Sequence, residues 1–364
     1  MTTSALLEVD AVVLVGGKGT RLRPLTLSAP KPMLPTAGVP YLEHLLSRIR
    51  EAGLRHVVLG TSYRAETFEA HFGDGSDFGL EIEYVVEDEP LGTGGGIRNV
   101  YERLRHDTAM VFNGDVLSGV DLLAVLRTHH AARADVTLHL VRVTDARAFG
   151  CVPTDADGRV LGFLEKSENP PTDQINAGCY VFRREVIAGI PAGVPVSVER
   201  DTFPSLLAGG ALVVGHVDES YWLDLGTPKA FVRGSADLVS GVAPTAALPK
   251  AQAHDLDRLL LSGADVDPTA SVSGGSTIGA GVHVAAGAEV RGSIVMDDVR
   301  IGPRAQIASS VIGRGARIGT GVVLVDSVIG DGAVIGAGCE LRDGARVWPG
   351  VVLAETAIRF STDG

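Results

Sequence analysis

Between Gly16 and Arg23 the chain gathers Gly16, Gly17 and Gly19 with Lys18, Arg21 and Arg23, directly after the apolar run Val12-Val13-Leu14-Val15. Glycine has no Cβ, so this backbone can take positive φ and bring N–H groups close to an anion, while the cations add charge at the same place. Phosphate binding is the chemistry such a loop suits. It is not a Walker A loop, because Gly19-Thr20-Arg21 stands where Gly-Lys-Ser or Gly-Lys-Thr is required, and no third glycine completes a dinucleotide fingerprint. Taken alone, the run also suits a tight strand-to-loop turn. Three cations packed this closely repel one another unless an anion or water lies between them.

Two aspartates come next. Asp115 closes Met110-Val111-Phe112-Asn113-Gly114-Asp115, so its carboxylate emerges at the end of a buried strand. Asp224 sits among Trp222, Leu223, Leu225 and Gly226, where an unpaired carboxylate is costly. A pair of carboxylates can share a Mg²⁺ that also takes water and substrate phosphate oxygens. Singly, Asp115 equally suits a helix cap and Asp224 a salt bridge. Lys31 is stiffened between Pro30 and Pro32, and Lys166 follows Leu164-Glu165. Lysine is scarce against arginine in this chain, which hints at a compact ammonium wanted at those positions. A second glycine loop, Leu91-Gly92-Thr93-Gly94-Gly95-Gly96, opens a helical segment.

With Lys31-Pro32-Met33, Phe163-Leu164-Glu165-Lys166, Asn176-Ala177-Gly178 and Trp222-Leu223-Asp224-Leu225-Gly226-Thr227-Pro228, these motifs resemble the sugar-1-phosphate nucleotidyltransferase family, most closely its mannose-1-phosphate guanylyltransferase (GDP-mannose pyrophosphorylase) branch. The resemblance implies in-line attack of mannose 1-phosphate on GTP, giving GDP-mannose and pyrophosphate. It makes Arg21, Lys31 and Asp115 catalytic and assigns Mg²⁺ to Asp115 and Asp224. Lys166 would hold the sugar phosphate, and Glu165 and Asn176 the sugar hydroxyls. Further substrate contacts fall to Leu14, Gly16, Gly17, Gly19, Thr20, Gly92, Thr93, Asn113 and Gly150. Leu91-Gly92-Thr93 lacks the glutamine of thymidylyl and uridylyl members and matches guanylyl and adenylyl ones. Glucose 1-phosphate with ATP, UTP or dTTP is the rival within the class. A silent regulatory subunit is a second rival, against which the intact motif residues speak.

Elements must position these groups. Apolar β-branched runs at 11–15, 56–60, 81–86, 109–112 and 136–143 read as strands, and 41–52, 64–71, 94–104 and 122–132 read as helices. That alternation predicts an α/β, Rossmann-like, mostly parallel sheet over residues 1–240, with ligands at the carboxyl ends of its strands. After a connector at 241–264 the texture changes. Aliphatic residues recur every six positions from Val272, with five-residue steps at Val295, Ile312 and Ile329, and Ser-Ile-Val or Ser-Val-Ile triplets begin at Ser293, Ser310 and Ser327. This predicts a parallel β-helix of hexapeptide repeats over 265–364, left-handed by the same resemblance, and a homo-oligomer assembled through it. His283 is the region's single histidine, which speaks against acyl transfer. Every phosphate-binding candidate precedes residue 230, so the coils are expected to serve assembly alone. The net charge of −12 speaks against nucleic acid, and three scattered cysteines against a disulfide framework. No basic leader and no membrane-length apolar run is present, so a cytoplasmic protein is expected.

Overall fold

The computed structural model describes residues 7–62 and 64–360. Two compact units make up the chain: residues up to Gly17 with Leu45–Trp222, and Lys18–His44 with Leu223 onward. The basic half of the first glycine loop thus belongs to the same unit as the repeats.

The first unit is built on a nine-stranded sheet. Its strands are β1 Asp10–Leu14, β2 His56–Thr61, β3 Glu81–Val86, β4 Thr108–Asn113, β5 Val136–Arg142, β6 Gly150–Cys151, β7 Leu164–Glu165, β8 Gln174–Arg183 and β9 Val213–Asp218. β3, β2, β1 and β4 lie side by side and parallel; β1, β2 and β4 are apolar runs buried on both faces, while β3, at the edge, is half exposed and carries Glu81 and Glu83. β8 runs antiparallel to both β4 and β5, and β9 joins β5 in parallel, so the sheet is mixed. β8 and β9 were not foreseen as strands; in β8 the Asn176-Ala177-Gly178 motif has the composition of a loop. It is a bulge instead: the β8–β5 register shifts between Asn176 and Tyr180, and Gly178 takes a φ of 78°.

β1 and β4 pair from Asp10↔Ala109 to Leu14↔Asn113, which brings their carboxyl ends level. At the opposite end Asp10 is fully buried, with Oδ1 2.7 Å from His56 Nδ1 and Oδ2 accepting from the Arg105 and His106 amides at 2.8 Å. Burial would raise the Asp10 pKa, but these bonds outweigh it and hold the carboxyl low. The expected helix at 94–104 is Gly92–Asn99 followed by a 3₁₀ turn at Tyr101–Arg103.

In the second unit three sheets of seven, six and six short strands form the β-helix, as the hexapeptide period prescribes; they are parallel throughout except for Ala253–Asp255, which pairs antiparallel with Arg258–Leu260 at the start of the first. Every aliphatic position of the series from Val272 to Val347 lies in one buried core, with Leu353 partly buried against it. The serines explain the five-residue steps. Ser293 N donates to Ser276 Oγ, Ser310 N to Ser293 Oγ and Ser327 N to Ser310 Oγ at 3.0–3.1 Å, a ladder that ties each short corner to the coil before it. Ile312 pairs with Ile329, but Ile329 pairs with Val347, so the next coil lacks the serine and is one residue longer.

Candidate active site

In the first unit the Asn113-Gly114-Asp115 turn lies directly over the end of β1. Gly114 N donates to Leu14 O at 2.9 Å, and a Cβ on Gly114 would stand 2.6 Å from that oxygen. Only glycine permits this approach, and it holds the half-buried Asp115 beside Leu14 and Val15. Gly16 packs with its Cβ position 3.0 Å from Ser62 Oγ, while Gly17, at φ 117°, faces open space.

Asn113 packs against Gly178, and both Asn113 and Asn176 bond the hydroxyl of the fully buried Tyr180. Asn176 Nδ2 donates to that hydroxyl at 2.7 Å and Oδ1 accepts from Gly178 N at 3.1 Å. The Asn176 amide therefore braces its own bulge. β6 and β7 pair Gly150 with Glu165, and a Cβ on Gly150 would strike the Phe163 ring at 2.7 Å. Lys166 follows in the left-handed region, φ 53°, with Nζ 3.8 Å from Glu165 Oε1 and the side chain 65% exposed, so it is available to an anion from solvent.

The second glycine loop is clasped from behind. Gly94 and Gly95 amides donate to Val196 O, and Val196 N donates to Leu91 O. Thr93 Oγ1 donates to Glu199 Oε2 at 2.9 Å and accepts from Val198 N at 2.9 Å. Its proton is committed to Glu199, so any base contact at Thr93 falls to its remaining lone pair, backbone or methyl group. Gly92 touches the same segment, its Cβ position 2.7 Å from Val196 O. Burial raises the pKa of Glu87, partly offset by the Leu91 amide donating to its carboxylate.

The second unit brings Arg21, Lys31 and Asp224 together. Gly19, at φ 54°, caps the short Thr20–Leu22 turn, with its Cβ position 2.9 Å from Thr26 and 3.1 Å from Lys31 Cβ. Lys31 is buried, and its Nζ lies 3.9 Å from Asp224 Oδ1, an ion pair too long for a direct hydrogen bond. A Cβ on Gly226 would meet Arg21 Nη2 at 2.5 Å and Asp224 Oδ1 at 3.0 Å, so the guanidinium lies across that glycine.

Residues after Trp222, one of them in the repeats, brace the Lys18–His44 segment. Arg346 Nη1, in a late coil, donates to Arg23 O at 2.8 Å. Ala37 N donates to Ser235 Oγ at 2.9 Å, and Gly38 abuts Pro249 and Leu261. His44 spans Thr36 O at 2.9 Å and Thr245 Oγ1 at 2.7 Å. The clasp at Glu199 and the Arg346 contact were not found from sequence, since each lies far along the chain from the motif it serves, and the Tyr180 hydroxyl, four residues after Asn176, was hidden within an apolar strand.

The first unit thus carries Gly16, Gly17 and the Asn113-Gly114-Asp115 turn at the carboxyl end of its sheet, and the second holds Arg21, Lys31 and Asp224 together with the β-helix. The chain belongs to the Nucleotidyl transferase family, whose profile matches residues 10–241, and the profile described as GMPPB C-terminal domain matches 257–331. It is 65% identical over 357 residues to a mannose-1-phosphate guanylyltransferase of Mycobacterium tuberculosis, covering 98% of this chain and 99% of that one. It is 31% identical to a D-glycero-alpha-D-manno-heptose 1-phosphate guanylyltransferase of Aneurinibacillus thermoaerophilus, over 63% of this chain and 98% of that one. Among solved structures it resembles HddC from Yersinia pseudotuberculosis complexed with GMP-PN, with a TM-score of 0.56 and 28% identity over 63% of this chain and 99% of that one.

Proposed function

We propose that the enzyme transfers a guanylyl group from GTP to mannose 1-phosphate, releasing pyrophosphate and forming GDP-mannose. The identity of 65% along nearly the whole chain to a protein of that activity carries the reading. The convergence of Arg21, Lys31 and Asp224 supports it with chemistry.

A phosphate oxygen of mannose 1-phosphate attacks the α-phosphorus of GTP. The new P–O bond forms as the bond to the β-phosphate oxygen breaks, and its electron pair leaves with pyrophosphate. The attacking oxygen is already anionic, so no side chain need take a proton, and the barrier is one of charge repulsion and alignment. Arg21 supplies a planar fork of donors and Lys31 a fixed ammonium for the charge on the α and leaving phosphates. Lys166 takes the sugar phosphate, with Glu165 beside it for a sugar hydroxyl. Asn176 holds the bulge through its amide, whose second N–H and second oxygen lone pair remain for a sugar hydroxyl.

Mg²⁺ needs few protein ligands when substrate phosphates complete its shell, and two hard carboxylate oxygens suit it. Asp115 and Asp224 are the carboxylates we assign to it. Bound there, the ion supplies neutralisation of the crowded phosphates.

We assign assembly of a homo-oligomer to the last coils, where Trp348, Val352 and Ile358 are 46%, 70% and 61% exposed. Among the described residues no helix is long and apolar enough to cross a membrane. Three buried free cysteines fit a reducing, cytoplasmic setting. Pyrophosphate release over a grid of nucleoside triphosphates and sugar 1-phosphates tests the reaction. GTP with mannose 1-phosphate should give the highest kcat/KM, and a higher value for another pair overturns the assignment.

A further inference from the structure

At the end of the sheet remote from Leu14 and Asn113 lies a cavity of about 490 Å³ with no part in the reaction above. Thr108 at the start of β4, Ala134 just before β5 and Arg183 at the finish of β8 line it. β4 alone separates it from Asn113 by about 17 Å of strand.

Its wall is cationic. Arg133, Arg183 and Arg184 line it with His129 and His130, against the carboxylates of Asp107 and Glu185. Arg183 is already engaged, 3.4 Å from both Asp135 and Glu185 and donating to Arg133 O. Arg184 differs: its guanidinium lies 4.8 Å over the Tyr101 ring and its buried Nε has no hydrogen-bond partner. His130 Nε2 is likewise buried without a partner. Arg133 holds a left-handed backbone, φ 51°, at the end of the Leu122–Ala132 helix. Buried polar nitrogens left without partners are uncommon in native proteins, and a ligand that accepts from them removes the cost.

We propose that this cavity binds a phosphomonoester dianion, either inorganic phosphate or the phosphate of a sugar-sized ester, at a site separate from the reaction centre. Three terminal oxygens can accept from the Arg184 Nε, the Arg133 fork and a histidine N–H at once, the geometry for which guanidinium is suited. The volume lies within the range of roughly 300–1,000 Å³ typical of small-molecule pockets. Burial, then repulsion from His130 and Arg183, lowers His129 to about 4, and burial lowers His130. A dianion alongside pulls both upward.

The full-length protein, with histidine rings labelled with carbon-13, is titrated by NMR at constant ionic strength with inorganic phosphate and, separately, with a hexose 6-phosphate. His129→Gln and His130→Gln assign the signals. Saturable shifts of the His129 and His130 signals are expected, and Arg133→Gln combined with Arg184→Gln should weaken binding at least tenfold. Arg184→Lys, which keeps the charge but not the fork, should weaken it about threefold. Response to phosphate alone identifies the inorganic source, and tighter binding of the hexose ester identifies the ester. No saturable shift with either probe, or a shift that the double variant leaves unchanged, overturns the site. Pyrophosphate release by the double variant should stay within twofold of wild type, so this test stands apart from that of the guanylyl-transfer reading.

Discussion

Gly226→Ala separates the placement of Arg21 from the stability of the fold. The new Cβ would stand 2.5 Å from Arg21 Nη2 and 2.9 Å from its Cζ. Non-bonded heavy atoms settle at about 3.5 Å, so the guanidinium must retreat by about 1 Å. The two nearest atoms belong to the far end of a long side chain, and turning it costs the fold less than about 1 kcal/mol; Asp224 Oδ1, next at 3.0 Å, need give by only a few tenths of an ångström. Catalysis is less forgiving, because a displacement of about 1 Å in a charge-stabilising group can cost about 100-fold, or about 2.7 kcal/mol of transition-state stabilisation. The assay is kcat/KM for pyrophosphate release beside thermal unfolding of the same sample. A folded variant within about threefold of wild type would refute the role given to Arg21 at this position. A fall of more than about 10 °C in Tm would show instead that the glycine serves the backbone. Gly114→Ala is the contrast, since its Cβ meets the Leu14 carbonyl oxygen at 2.6 Å and no side chain can turn away. Loss of folded protein is expected there.

Asp115→Asn and Asp224→Asn should each remove several kcal/mol of phosphate neutralisation and lower turnover by about 1,000-fold or more, and near-normal turnover in either folded variant would sink the metal assignment. Lys166→Ala should raise KM for mannose 1-phosphate by about ten- to a hundredfold with little effect on KM for GTP, since a charged hydrogen bond contributes about 1.5–3 kcal/mol; equal weakening toward both would place it elsewhere. His44 is driven by burial from 6.5 to about 4, the Thr36 carbonyl only partly countering this. The unfolded chain therefore takes up a proton near 6.5 that the fold refuses until about 4, so stability is full above 6.5 and falls as pH drops through that window. His44→Gln should flatten urea-unfolding ΔG against pH there by up to about 1.4 kcal/mol per pH unit, and an unchanged slope would contradict the buried neutral ring. Arg346→Ala deletes one bond to Arg23 O, a net contribution of about 1 kcal/mol, so kcat/KM should fall several-fold with unchanged oligomeric mass and recover in part with Arg346→Lys. Full activity would leave that contact idle.

The period of the repeats was legible because each coil must point one aliphatic side chain inward, and nothing outside the rod alters that demand. The core from Val272 to Val347 follows it position by position. The parallel strands were legible for a similar reason, since burial on both faces leaves an unbroken apolar run. β8 was hidden by its own bulge, where Asn176 and Gly178 have the composition of a loop while flanking residues keep the ladder. The site is harder to read because ligand contact and internal bracing draw on the same atoms. Thr93 and Asn176 carry the hydroxyl and amide that a substrate would need, yet Glu199, Val198, Tyr180 and Gly178 already engage them. Lys31 and Asp224 have the opposite character, an ion pair held at 3.9 Å with the ammonium buried. An ion pair at that separation leaves geometry for a phosphate or cation to join, whereas amides and hydroxyls bonded within the protein fix the walls. Motif residues of this chain therefore divide by what they already touch, and that division depends on partners about a hundred residues away for Thr93 and more than three hundred for Arg23. Spacing within a motif cannot reveal it.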